Sequence, residues 1–91
     1  MNKADLVNAI ADKSGVTKKQ ADLVLTVALD TIMDTVSEGE KVTLVGFGSF
    51  EPRERKARNG RNPQTGKALT IPATTVPAFS AGKLFKDQVA N

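Results

Sequence analysis

The 91-residue chain contains no cysteine, histidine, tryptophan or tyrosine. Without cysteine there is no disulfide and no thiol chemistry, and without cysteine and histidine together the ordinary zinc ligand sets and imidazole acid-base catalysis are excluded. The only aromatic residues are four phenylalanines, which leaves few platforms for stacking on exposed bases. No apolar run approaches the roughly 18 residues of a membrane span. The start, MNKADLVNAI, lacks the basic-then-apolar layout of a secretory signal, so the expectation is a soluble intracellular protein without a membrane partner. Size implies one small domain, and chains this short often lean on a disulfide, a metal or a partner subunit for stability. With the first two excluded, self-association is the expected support.

What is present is a charge polarity. Residues 1–40 hold four basic and seven acidic side chains, a net −3, whereas residues 41–91 hold nine basic and three acidic, a net +6. The stretch RERKARNGRNPQTGK, residues 53–67, contributes +5 of this. A polyanion is drawn to that stretch and held away from the acidic helical face.

Hydrophobic spacing gives a helical half followed by a strand-rich half, an α+β chain in the order α-α-β-β-β-α. Asn2 fits an N-cap, Asp5 falls in the first turn, Leu6, Val7, Ile10 and Ala11 form an apolar stripe, and Ser14-Gly15 ends the helix. Thr17 and Gln20 fit a capping box for a second helix. Its stripe of Ala21, Val24, Leu25, Ala28, Leu29, Ile32, Met33 and Val36 runs until SEGE and faces a core or a dimer partner. Val42 and Leu44 mark a strand, Gly46-Phe47-Gly48 a connection, and a second strand begins near Ser49. ALTIPATTVPAF returns, with Pro72 and Pro77 pointing to edge positions or bulges, while Pro52 at the arm root removes a ladder donor and points to a bulge or a shift in the local pairing. Ser80 is placed to cap a last helix with Leu84, Phe85 and Val89 on its apolar face. The expected division is a single domain over 1–91, with a helical pair at 1–40, a sheet at 41–79 carrying an arm at about 52–75, and a helix at 80–91. Phe47, Phe50 and Phe79 are expected in the core, and Leu29, Ile32 and Leu44 join them at a dimer core.

Two glycine-bearing turns imitate phosphate loops and fail on spacing. Gly46-Phe47-Gly48 would need its third glycine at Glu51, inside a βαβ unit that the pattern does not offer. Gly60 to Lys67 resembles a P-loop, yet its second glycine comes one residue late and Ala68 stands where a magnesium-binding Ser or Thr is required. With no paired carboxylates in an apolar setting and no nucleophile beside a base, neither an enzyme, a small-molecule substrate nor a cofactor is expected.

The arm is the informative feature. Read as a hairpin of 51–60 and 66–76, simple alternation puts Arg53 and Arg55 on one face with Ala57, and Lys56 and Arg58 on the other. Neither face offers an apolar row, and a two-stranded ribbon is marginal in water, so the arm is expected to be mobile alone. Pro63 presets φ early in the turn, and Gly60 and Gly66 let the chain turn. About twelve residues at roughly 3.3 Å each carry the tip some 40 Å out. Four of the six basic residues in the arm are arginine, whose planar fork suits phosphates and narrow minor grooves. A ribbon of this kind can lie along a duplex groove with Pro63 as a wedge between base pairs. Lys56 and Lys67 stand where twist, not alternation, decides which way they face.

The stretch GFGSFEPRERKARNGRNPQT, Gly46 to Thr65, resembles the signature of the bacterial HU histone-like family. Gly46-Phe47, Phe50, Arg55, Arg58, Gly60, Asn62-Pro63 and Thr65 stand at that family's spacing, and the element order agrees along essentially the whole chain. The resemblance implies an intertwined homodimer, or a heterodimer with a paralogue, whose helical body carries two protruding β-arms that embrace double-stranded DNA in the nucleoid. It implies that Arg53, Arg55, Lys56, Arg58, Arg61, Asn62, Thr65 and Lys67 line the arm, that Pro63 inserts at a kink, and that Lys3, Lys18, Lys83 and Lys86 contact flanking DNA.

Groove insertion makes bent, nicked or flexible DNA the better ligand and leaves sequence preference weak, because the minor groove's pattern is degenerate. A sequence-selective bender resembling integration host factor is the alternative within this type. An RNA-binding module and a plain assembly module are the alternatives from other classes. The helix pair read as a helix-turn-helix is disfavoured by its negative charge and by the use of its stripe for packing.

Overall fold

The structure, a computed structural model, describes residues 1–91. It is α+β, and its elements are α1 (Lys3–Ser14), α2 (Lys18–Ser37), β1 (Val42–Leu44), β2 (Gly48–Arg55), β3 (Arg58–Arg61), β4 (Ala68–Ile71), β5 (Thr74–Ala81) and α3 (Lys83–Ala90). They fall into two compact units, Met1–Asp34 and Thr35–Asn91.

In the first unit both helix starts are closed by reciprocal side-chain caps. Asn2 Oδ1 accepts from the Asp5 amide at 3.0 Å while the Asn2 amide donates to Asp5 Oδ2 at 3.2 Å. Thr17 and Gln20 repeat the arrangement at 3.1 Å in both directions. Each box satisfies amides that the first helical turn leaves without partners. Gly15, in the left-handed region at φ 78°, ends α1 and donates to the Ala11 carbonyl. The buried core is small: Val7, Ala11 and Ala21, with Ile10 and Leu25 packed against it. Of the apolar stripe on α2, Val24 and Met33 remain 67% and 61% exposed.

The second unit holds an antiparallel sheet in the order β1-β2-β5 and a two-stranded ribbon, β3-β4. Five strands stand where three were expected, because both arm strands are interrupted, at Lys56-Ala57 and at Pro72-Ala73. The β1–β2 turn uses Gly46 at φ 85°, and the Phe47 amide donates to the Leu44 carbonyl. At Gly48 a Cβ would meet the Ser80 carbonyl oxygen at 2.5 Å and the Phe79 ring at 2.6 Å, so this position admits only glycine without a shift.

Ser80 does not cap α3. It lies in β5 opposite Ser49, and Gly82 occupies the N-cap without a side-chain bond. The Gly46 carbonyl does the capping instead, accepting from the Phe85 amide at 3.2 Å, while the Gly82 amide donates to the Phe47 carbonyl at 2.8 Å. A backbone carbonyl thus replaces the hydroxyl and ties α3 to the β1–β2 turn. This brings Phe85 face to face with Phe47, at 5.3 Å and 8°, beside Phe50 and Phe79, whose rings lie 4.8 Å apart. The expected cluster of three phenylalanines has four members. Phe47 and Phe79 are still 45% and 42% exposed, so the cluster lines a surface.

Candidate nucleic-acid interface

The arm is an extension of the sheet. β2 leaves β1 behind after Phe50 and continues against β5 alone from Glu51 to Arg55. Pro52 and Pro77 face each other in this stretch without a bulge. Neither has an amide hydrogen, so their pair must be one of the non-hydrogen-bonded pairs that alternate along an antiparallel ladder. The bond from the Gly82 amide to the Phe47 carbonyl sets the same phase: odd-numbered residues of β2 form the hydrogen-bonded pairs. Two prolines therefore sit in the arm root at no cost in ladder bonds. Pro52 forms neither a bulge nor a register shift, and Pro77 lies on an edge strand as expected.

Beyond the interruption the register is unchanged, with Arg58 opposite Ile71 and Arg61 opposite Ala68. The phase is not. The Asn62 amide donates to the Lys67 carbonyl at 3.0 Å, which makes 62↔67 a hydrogen-bonded pair and, by alternation, Gly60↔Leu69 and Arg58↔Ile71 as well. Even-numbered residues of β3 now occupy the positions that odd-numbered residues hold in β2. Chirality ties the direction of a residue's amide and carbonyl to that of its side chain, so hydrogen-bonded pairs keep to one face of a two-stranded ribbon. Arg53, Arg55 and Arg58 consequently share a face, and Arg61 takes the other. Simple alternation had separated Arg58 from Arg53 and Arg55; that assignment is corrected by the phase shift.

At the tip the turn is closed by its own side chains. Asn62 Oδ1 accepts from the Gln64 amide at 2.9 Å, the Asn62 carbonyl accepts from the Gly66 amide at 2.8 Å, and Thr65 Oγ1 accepts from the Lys67 amide at 3.4 Å. Gly66 turns the chain at φ 70°. Gly60 does not turn: it is a strand residue opposite Leu69, with Ile71 Cδ1 3.8 Å from where its Cβ would stand. Pro63 is exposed within this frame of bonds, so its ring is presented outward from a defined turn.

The root of the arm carries a contact that the sequence reading missed. Glu51 lies 3.2 Å from the Arg53 guanidinium and 3.9 Å from Lys41 Nζ. Acid and arginine are two apart on one face of β2, the spacing that could have signalled the pair. Arg55, Lys56, Arg58, Arg61 and Lys67 are exposed. The body lysines divide between the units. Lys3 donates to Thr26 Oγ1 at 2.7 Å and lies 3.6 Å from Asp22, beside Lys18 in one shallow groove, whereas Lys83 and Lys86 stand on α3.

An α+β chain that bears a basic antiparallel ribbon with a proline-tipped turn defines a class of protein fitted to the groove of a polyanion. Comparison with known proteins places it further. Residues 1–90 match the family described as bacterial DNA-binding protein. A DNA-binding protein HU of a Nostoc species is 70% identical over 90 residues, 99% of this chain and 96% of the relative, and one of Staphylococcus aureus is 55% identical over 89 residues, 98% of this chain and 99% of the relative. Among solved structures, an Anabaena HU-DNA cocrystal structure superposes with a TM-score of 0.93 at 70% identity, covering 99% of this chain and 98% of that one. HU from Thermotoga maritima gives 0.70 at 36%, covering 98% of each chain. The chain belongs to the bacterial DNA-binding protein family, and the relatives named above are DNA-binding proteins HU.

Proposed function

We propose that this chain is an architectural, largely sequence-independent DNA-binding protein that bends and compacts duplex DNA in the bacterial nucleoid. The observation that carries the reading is the ribbon itself: a row of exposed arginines leading to Pro63 on a turn that its own side chains hold together. The arginines engage phosphates along the minor groove, releasing counterions, and Pro63 enters a base step as a wedge. Unstacking costs about a few kcal/mol per step and bending a short site on the order of 1–6 more, offset by the phosphate contacts that a bent path brings within reach. Lys3, Lys18, Lys83 and Lys86 take up flanking DNA.

Two copies form the working unit, and the two compact units of each chain belong to one domain within it. Sixteen large hydrophobic side chains are exposed in the single chain, among them Leu29, Leu44, Phe47 and Phe79, and a second copy provides the apolar surface to cover them. Ile32 and Phe50, half-buried already, complete that dimer core.

The test is a titration of matched straight, nicked and sequence-scrambled duplexes, with double-stranded RNA of equal length, at several salt concentrations. The expected result is tighter binding to nicked than to intact DNA and near-equal affinity across sequences. The slope of log K against log salt should be about −0.9 per phosphate engaged. Binding confined to one sequence would turn the reading toward a selective bender, preference for RNA toward an RNA-binding module, and absence of salt-dependent binding toward a plain assembly module.

A further inference from the structure

The reversal of ladder phase in the middle of the arm has one residue at its centre. In the phase set at the root, hydrogen-bonded pairs run Glu51↔Ala78, Arg53↔Val76, Arg55↔Thr74, and the next would be Ala57↔Pro72. That rung requires an amide hydrogen from residue 72, and proline has none. The ladder stops there and resumes at Arg58↔Ile71 in the other phase. Pro52 and Pro77 stand where the phase makes a missing hydrogen harmless, whereas Pro72 stands where it breaks the pattern.

We propose that Pro72 is a positioning residue for DNA binding: by withholding one amide hydrogen it reverses the hydrogen-bond phase of the distal ladder at unchanged register and turns Arg58 onto the face that carries Arg53 and Arg55. The inference rests on the reading that the arms bind DNA, and adds what makes their cationic row continuous. With an unbroken ladder Arg58 would join Pro52 and Glu54 on the opposite face, and Arg61 would replace it beside Arg53 and Arg55, one turn residue away from the tip. Ile71 and Leu69, partners of Arg58 and Gly60, would leave the guanidinium face as well.

The experiment reads ladder phase and DNA binding separately. Close cross-strand Hα–Hα contacts by NMR mark non-hydrogen-bonded pairs, since their Cα atoms lie about 4.5 Å apart against about 5.5 Å in the others. The native protein is expected to show them at 59/70 and 61/68. Pro72→Ala, which restores the hydrogen, is expected to move them to 58/71 and 60/69. A synthetic chain with N-methylalanine at position 72, which lacks the hydrogen but also the ring, is expected to keep the native pattern. In duplex titrations Arg58→Ala should flatten the salt slope by about 0.9 per arm in the native chain and leave it unchanged in the Pro72→Ala background. Arg61→Ala should flatten it more in the Pro72→Ala background than in the native chain. Unmoved Hα contacts in Pro72→Ala overturn the inference even where binding falls. Moved contacts with an undiminished effect of Arg58→Ala overturn it too. A native chain in which Arg58→Ala has no effect on DNA binding overturns the reading of the arms and the role of Pro72 together.

Discussion

Among single residues, those that decide the arm's behaviour are proline and glycine, because they act on the backbone rather than through contacts. Pro63 was legible as a turn residue from its neighbours, and the bonds that Asn62 Oδ1 and Thr65 Oγ1 accept from the Gln64 and Lys67 amides bear out the turn. Replacing it with alanine is expected to reduce the bend in bound DNA more than the affinity, measured by gel mobility of circularly permuted fragments; equal loss of both would speak against a wedge. Gly48 was read only as part of a connection. Its close approach to Ser80 and Phe79 arises from the pairing of β2 with β5, a contact distant in sequence that no local pattern reveals. Gly48→Ala should destabilise the protein by about 1–3 kcal/mol through overpacking, seen as a lower urea midpoint at unchanged slope.

Among the elements, the helices follow from the sequence and the strands only in part. Caps and stripes are local, so α1 and α2 begin where Asn2 and Thr17 predict. Asn2→Ala should cost about 1 kcal/mol, with glycine at this position costing only a few tenths, again read from denaturant midpoints. The start of α3 was misread at Ser80 because its cap is the Gly46 carbonyl, distant in sequence. The face of Arg58 was misread because period-two alternation assumes an unbroken ladder, and the sign of the exception, a proline on a hydrogen-bonded rung, depends on register. The distal ribbon has little apolar cover beyond Ile71 over Gly60. Backbone amides of β3 and β4 are therefore expected to exchange with solvent faster than those of β2 next to β1, and to slow when DNA is added. Equal protection in the free protein would contradict an arm that DNA orders.

Considered as a whole molecule, the chain has too small a buried core for its length. Val7, Ala11 and Ala21 are its only buried hydrophobic residues, and the phenylalanine cluster is open on one side. Absent cysteine already pointed to self-association, and the exposure of Val24, Leu29 and Met33 on α2 and of Phe47 and Phe79 in the phenylalanine cluster agrees with it. If folding and pairing are one event, the thermal midpoint rises with protein concentration. A midpoint independent of concentration over a hundredfold range would contradict an obligate dimer. Charge polarity, by contrast, was fully legible, since it is composition arranged along the chain: the acidic excess lies in residues 1–40 and the basic excess in residues 41–91. The central claim, that two arms bend DNA by holding the groove and wedging its steps, is tested most directly by energy transfer between dyes at the two ends of a short duplex. Adding the native protein is predicted to raise transfer at saturation, and Pro63→Ala to raise it distinctly less at the same occupancy. Saturation by the native protein with no change in end-to-end distance would contradict the account.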